Sequence, residues 1–333
     1  MLIVSLMASA YSLWRITDYW EYEEKPLDIQ QSFTQAFSTT AMRAQIETQI
    51  KNKQIDAAKR NLQLAQYFNY ALDYSHYQQQ IDAIDTLYYR SSKNITDFIG
   101  GFASGKGDSG VGIAGALIAD FTVVGDVRDL HQQYQNHQAG ITVNQLIVGL
   151  SGIGIGLTLA TISTVGVTAP IKAGTSILKL ASKTDRLSAR FSQELLQKTQ
   201  RAFNWNQFVR LSKQNGNVLG IKSAATQAYN PRAMKTLSSI GDQANNIRKA
   251  SSTADTVHLL KYVDNSQDLR KLEKFTVKHG THSKGIMKVL GKSALRSVKV
   301  LKKSLGLLLS LVGLLLSGFF NLYFLFPRTK KIS

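Results

Sequence analysis

The chain has no cysteine. Disulfides, thiolate nucleophiles and cysteine-based metal sites are excluded together, and either redox compartment stays open. No serine sits in a G-x-S-x-G elbow, and no carboxylate pair stands out as a general acid and base. Histidine is scarce as well. Of six, only His279 and His282 lie close together, in a His-Gly-Thr-His turn with no neighbouring carboxylate. A metal site needs more donors than that, so the pair reads as a solvated loop feature. These gaps argue against an enzyme, a metal centre or a cofactor.

Negative charge is missing where positive charge gathers. Residues 1–170 hold 11 Lys/Arg and 15 Asp/Glu, whereas residues 171–303 hold 26 Lys/Arg and 7 Asp/Glu. The chain-wide charge of +18 therefore hides a near-neutral half and a strongly basic one. Such asymmetry points to an anionic partner, either a membrane surface or nucleic acid.

Charge of either sign is absent from Ser304–Phe326, which runs 23 residues. A helix of that length covers about 34 Å, more than the roughly 30 Å hydrocarbon core of a bilayer. Lys302 and Lys303 bound one end; Pro327, Arg328, Lys330 and Lys331 bound the other, in a basic tail over 327–333. The segment is read as a transmembrane helix. Gly306, Ser310, Gly313 and Ser317 give it a small-residue face suited to packing against another helix.

Three further segments are apolar. Ile141–Ala169 carries no charge for 29 residues and repeats Gly152, Gly156, Ala160 and Thr164 every fourth position. That smooth stripe predicts a second transmembrane helix in a glycine-rich hairpin spanning 101–170. Met1–Trp14 reads as an N-terminal anchor, although Ala8-Ser9-Ala10 has the form of a signal-peptidase site. Val111–Val124 carries Asp120 and is expected to lie on the surface or re-enter, because spanning would bury a carboxylate. The lysines flanking Ile141–Ala169 and Ser304–Phe326 place 171–303 in the cytoplasm and 15–140 on the opposite side.

The polar regions read as helices. Residues 15–100 form a helical domain, with breaks expected at Asn52-Lys53 and from Asn69 to Ser75. Lys53–Ala71 looks like one helix of a tetratricopeptide-type hairpin, but no second copy follows, so a small bundle is expected. Tyr67, Tyr70, Tyr74, Tyr77, Tyr88 and Tyr89 give it aromatic surface for a protein partner. In the basic region, 171–303, breaks are expected at Asn215-Gly216, Asn230-Pro231, Asp264-Asn265 and His279-Gly280. Lys284, Lys288, Lys292, Arg296, Lys299 and Lys303 recur at helical spacing. They predict one lysine-striped helix on anionic headgroups, running into the final span.

Two phosphate-binding patterns fail on context. Gly105–Gly110 matches G-x-G-x-x-G but follows no strand, and Gly291-Lys292-Ser293 lacks the four-residue spacing of a phosphate loop. Phe203, Trp205 and Phe208 interleave with Arg201, Arg210 and Lys213, as a single-strand groove would. No nucleic-acid-binding motif accompanies them, so nucleic acid ranks behind lipid and protein as a partner.

The run from Ala119 to Leu130, with Gly125, Asp126, Arg128 and Asp129 at its core, resembles the pre-toxin segment of bacterial polymorphic toxins. A glycine-rich segment, Gly149–Gly166, and a Lys-containing helix, Lys172–Lys183, follow in the same order. The same order is similar to that of a group of uncharacterised proteobacterial membrane proteins. The resemblance covers residues 110–190 and implies a bacterial membrane or secretion context. No catalytic constellation follows it, and a proline usual before the Gly-Asp is missing. Asp126, Arg128 and Asp129 are expected to cap a helix and form ion pairs at a membrane edge.

The expectation is an all-α integral membrane protein with helical soluble regions, located in the bacterial inner membrane. Its leading function is that of a non-enzymatic interaction or scaffold component. A membrane-perturbing or pore-forming effector comes second, and a membrane-tethered nucleic-acid binder third.

Overall fold

The computed structural model describes residues 2–18, 22–85, 123–163, 168–301 and 304–325. Expectations resting on Tyr88, Tyr89, the glycine run 105–110, the apolar stretch 111–122, Lys303 and the 327–333 tail lie outside the described residues, as do the side chains of Ala160 and Lys299. The structure is 83% helix, as the all-α expectation requires. The helices are α1 (Leu2–Asp18), α2 (Ile29–Ala36), α3 (Thr39–Lys51), α4 (Ile55–Tyr67), α5 (Tyr74–Ile84), α6 (Val123–Gln138), α7 (Gln145–Ser163) and α8 (Ala169–Lys183). They continue with α9 (Ala189–Ala202), α10 (Trp205–Ser212), α11 (Val218–Ala228), α12 (Lys235–Ala250), α13 (Thr253–Leu259), α14 (Ser266–His279), α15 (Ser283–Leu290) and α16 (Leu305–Leu325). Two short strands, β1 (Tyr22–Pro26) and β2 (Ser297–Leu301), complete the described elements.

The chain divides into two compact units. One joins the ends, Met1–Leu27 with Arg296–Ser333; the other is the body, Asp28–Leu295. In the first, β1 and β2 pair antiparallel, Tyr22 opposite Leu301 and Pro26 opposite Ser297, and α1 packs along α16.

The body begins with α2 to α5. Asp28, Ser38 and Asp73 each cap a helix by accepting a backbone N–H three residues on. The expected breaks hold: Lys53 and Asn69 both take positive φ, near 53° and 54°, which ends α3 and α4. Phe33, Met42, Ile46, Leu62, Ala65 and Ile81 fill the core between these helices, and the Phe33 and Phe68 rings stack 4.2 Å apart. Tyr70 and Tyr77 are buried in the same layer, Tyr74 is half-buried and Tyr67 is exposed. The four breaks expected in the basic region also fall between helices.

Three sequence expectations are overturned. First, α7 is the central helix of the body and not a lipid-facing span. Protein from α6, α8, α9 and α11 surrounds it, and every residue from Ser151 to Leu157 is buried. Its glycines are the reason. A methyl group built on Gly149 would lie 2.5 Å from Thr199, on Gly152 2.1 Å from the Phe203 ring, and on Gly156 2.5 Å from the Tyr229 ring. Gly152 and Gly156 are thus in close helix packing, and the neighbours they admit, Phe203 and Tyr229, belong to the protein interior of the body.

Second, 15–140 and 171–303 do not lie on opposite sides of a membrane, because both contribute to the one compact body. Tyr67 of α4, for example, hydrogen-bonds His279 of α14 across 2.9 Å. Third, the lysine stripe is not one helix. α15 stops at Leu290, Gly291 takes φ +58°, a 3-10 turn follows to Leu295, and the chain then becomes β2. Glycine ends the helix there because it enters the left-handed region without a Cβ penalty. The cations part company accordingly: Lys284 pairs with Asp255 at 2.8 Å and Lys292 with Asp268 at 2.6 Å, while Lys288 is exposed.

Candidate functional site: a polar-seamed hairpin and a buried ion network

Two arrangements stand out, one in each unit. The first is the pairing of α1 with α16. Ser9 Oγ donates to Ser317 Oγ at 2.8 Å, and Asn321 Nδ2 donates to Ser9 Oγ at 2.9 Å. Ser5 also bonds Asn321, and Ser12 lies against Gly313, where a Cβ would come within 2.9 Å of its hydroxyl. Residues 5, 9 and 12 thus meet 321, 317 and 313, so the two helices run antiparallel. Gly313 and Ser317 of the expected small-residue face line this seam; Ser310 instead bonds the Gly306 carbonyl of its own helix.

The bonded part of the seam is polar and the outside is not. Ser12 and Ser317 are buried, together with Ile16 and Leu307, whereas Ile3, Met7, Trp14, Leu305, Leu315 and Phe319 are each at least 60% exposed. A helix pair built for water does the reverse, burying its apolar stripe and showing its polar face. α16 is long and apolar enough to cross a membrane, at 21 residues or about 32 Å. α1 has 17 residues, with Arg15 and Asp18 in its last turn, 3.4 Å apart.

The second arrangement is a cluster of charges inside the body. α6 supplies Asp126 and Asp129 from its first two turns, and α8 supplies Lys172, Lys179 and Lys183. These lysines are seven and four residues apart, so one face of α8 presents all three. Lys179 Nζ lies 2.6 Å from Asp126 and 2.9 Å from Asp129. Lys183 reaches Asp129 at 2.7 Å, and Lys172 reaches Asp126 at 3.6 Å and the Gly154 carbonyl at 3.4 Å. Lys172 also donates to the Thr158 hydroxyl. Asp126 fits here because Gly154 has no side chain; a Cβ there would stand 2.3 Å from its carboxylate.

The network is deep. Asp126 and Lys179 are each 1% exposed. Burial pushes the Asp129 carboxyl up, but the Lys179 and Lys183 ammoniums outweigh it and hold the group below the ordinary carboxylate range. Burial lowers the Lys172 ammonium; Asp126 opposes that shift without cancelling it. Two open clefts among the described residues, about 450 and 500 Å³, are lined by other residues, including Gln145, Phe203 and Trp205 in one and Leu146, Ser182 and Leu196 in the other. The network therefore clamps α6 to α8 over α7.

Of the four residues at the core of the pre-toxin-like segment, Gly125, Asp126 and Asp129 are buried, and Arg128 sits at the rim, 3.3 Å from Asp129. Their ion pairs lie within the body, where a membrane edge was expected, and Asp126 and Asp129 belong to the helix they were expected to precede. From sequence the lysines entered only as cations flanking an expected span and as part of the helix after the glycine-rich segment, never as partners of the two aspartates. The signal was there: three lysines in one helical row of an otherwise apolar helix.

The remaining sequence candidates resolve as follows. Phe203 and Phe208 are buried core residues and cannot stack on bases, which leaves the half-buried Trp205 as the one accessible aromatic of the expected single-strand groove. His279 is buried under Tyr67, and His282 stacks on the same ring at 4.4 Å, so the pair is not solvated. Burial, reinforced by Lys278 and His282, pushes His279 down to about 4. Among the described residues, no cluster of three or more His, Asp or Glu side chains could hold a metal ion. Comparison with protein-family models, with curated proteins and with solved structures finds no match. The pre-toxin resemblance rests on its own residues.

Proposed function

We propose that this chain is a non-enzymatic, membrane-anchored interaction protein in which α1 and α16 insert together as a helical hairpin. The observation that carries the reading is the inverted polarity of that pair. Hydroxyls and an amide bond one another along the seam, and leucine and phenylalanine face outward. In hydrocarbon, interhelical hydrogen bonds and small residues hold helices together, and outward apolar side chains cost nothing. In water the same surface would be an aggregation patch.

A hairpin brings both of its outer ends to one side of the bilayer. Arg15, Lys25, Arg296, Lys299, Lys302 and Lys303 flank the inner ends, where the chain leaves for the body, against Arg328, Lys330 and Lys331 beyond α16. The bias supports a cytoplasmic body at the inner membrane of a bacterial cell. The cytoplasmic assignment thus extends from 171–303 to the whole of Asp28–Leu295. A protein partner of the body is the natural client of such an anchor.

The pore-forming alternative loses its main element, since α7 is enclosed in the body, and two helices closed along a bonded seam leave no channel between them. The test is reconstitution of the full chain into dye-loaded vesicles. Retention after alkaline extraction with no dye release is expected. Release of the protein by alkali would refute the anchor, and dye leakage would replace the scaffold reading with the effector one.

A further inference from the structure

We infer that the outer face of α14 is a second, purely electrostatic contact with the anionic headgroups of a bilayer. This rests on the anchoring proposed above, and it concerns a surface that the sequence pattern did not single out.

α14 buries Leu269, Leu272, Phe275, Thr276 and His279 against the body. That fixes its rotation. The opposite face then consists of Arg270, Lys271, Lys274 and Lys278, all exposed. Arg270, Lys274 and Lys278 form one i, i+4, i+8 row about 12 Å long, with Lys271 beside it. Among the described residues no carboxylate pairs with any of the four. The two acids of α14 are engaged elsewhere: Asp268 with Lys292 at 2.6 Å, and Glu273 with the Asn246 amide at 2.7 Å. The helix thus keeps its anions at its edges and presents four uncompensated cations outward.

Three features favour a lipid surface over nucleic acid. Three of the four cations are lysines, compact point charges that suit a diffuse layer of phosphates; arginine is the residue for bidentate base or phosphate recognition. No aromatic residue stands on the exposed face to stack on a base; its one large apolar side chain is Val277. An anchored chain also meets headgroups at the high effective concentration a tether provides, so a weak contact suffices. The apolar face of α14 is already used in the core, so the helix cannot insert and its contact is one of charge alone. Each cation near an anionic surface contributes about 1 kcal/mol, which for four, at about 1.4 kcal/mol per decade, is roughly a thousand-fold bias toward the docked state.

The absence of cysteine makes the test clean. A spin label on Gln267→Cys, an exposed position on this face, is read in the full chain reconstituted into vesicles bearing a nickel-chelating headgroup. With phosphatidylglycerol present the nickel should relax the label. That effect should vanish in about 1 M salt, where the Debye length is near 3 Å. It should vanish also in the variant with Arg270, Lys271, Lys274 and Lys278 changed to Gln, and persist when the three lysines are changed to Arg. On pure phosphatidylcholine the label should stay remote although the protein resists alkaline extraction. A protein that resists extraction while its label stays remote on phosphatidylglycerol vesicles overturns this contact and leaves the anchor standing. A relaxed label on a protein that alkali removes would refute the anchor and not this surface. Displacement of the label from the vesicles by duplex DNA at physiological salt would overturn the lipid assignment in favour of nucleic acid.

Discussion

Replacing Lys179 by Met removes the centre of the buried ion network without opening a cavity, because the two side chains are similar in length and volume. Lys179 bridges Asp126 at 2.6 Å and Asp129 at 2.9 Å, and its side chain is 1% exposed. Taking one partner from a buried pair typically costs about 3–5 kcal/mol, because a carboxylate is left in a medium that solvates it poorly. Lys183 still holds Asp129 at 2.7 Å, and Lys172 stands 3.6 Å from Asp126. The loss therefore belongs at the low end, about 3 kcal/mol. For a body of this size each kcal/mol moves the melting midpoint by about 2 °C, so a fall of about 6 °C is expected.

The assay is thermal unfolding of the full chain in a mild detergent, followed by far-UV circular dichroism at pH 7. The control is the double variant Lys179→Met with Asp126→Asn. It removes the carboxylate that the first change strands and should recover about half of the loss, roughly 1–2 kcal/mol, so that the two changes are not additive. An unchanged midpoint in Lys179→Met would refute the reasoning, since the aspartates would then be held by something other than this ammonium. A double variant that falls by the sum of the two single losses would refute the coupling.

The other expectations can be checked in the same preparation. Gly152→Ala should cost about 2 kcal/mol or more, because its methyl meets the buried Phe203 ring at 2.1 Å, whereas Gly216→Ala, with Tyr134 3.6 Å away, should leave the midpoint unchanged. His279 and His258 both titrate near 4 when folded against about 6.5 unfolded. The unfolded chain therefore binds more protons, and stability present above pH 6.5 should drain away as pH falls toward 4, by about 1–2 kcal/mol per group after screening. His279→Gln should shallow that decline in a pH series of urea midpoints, and an unchanged slope would count against the assignment. In the hairpin, Ser9→Cys with Ser317→Cys should cross-link on mild oxidation, and Ser9→Cys with Gly306→Cys should not; the reverse outcome would break the antiparallel register.

The two units differ in how readable they were. Helix boundaries in the body came through well, since Asn-Lys, Asn-Gly, Asn-Pro and His-Gly steps break helices by local backbone chemistry. The environment of α7 did not. Twenty-nine uncharged residues with a small residue recurring every fourth position describe a lipid-packed helix and an enclosed core helix equally well, because both must be apolar all round and closely approached. Its surroundings separate the two cases, and these depend on Thr199, Phe203 and Tyr229, more than thirty residues away in sequence. The lysine stripe failed for a local reason: helical spacing continued past Gly291, but a single left-handed glycine outweighs a periodicity of charges.

The hairpin shows the opposite case. α16 was legible by composition, and its small-residue face pointed to a partner helix without saying which one. The partner is α1, the other end of the chain. Ser5, Ser9 and Ser12 carry the clue, a serine every third or fourth residue in an apolar stretch, matched by Gly313, Ser317 and Asn321 on α16. Neither row means much alone, since isolated serines in a helix bond their own i−4 carbonyls, as Ser310 does with Gly306. Their meaning comes from pairing: Ser9 bonds the Ser5 carbonyl of its own helix and also meets Ser317 and Asn321 across the seam. Apolar length identifies a candidate span, and polar residues within the apolar segments identify what it packs against.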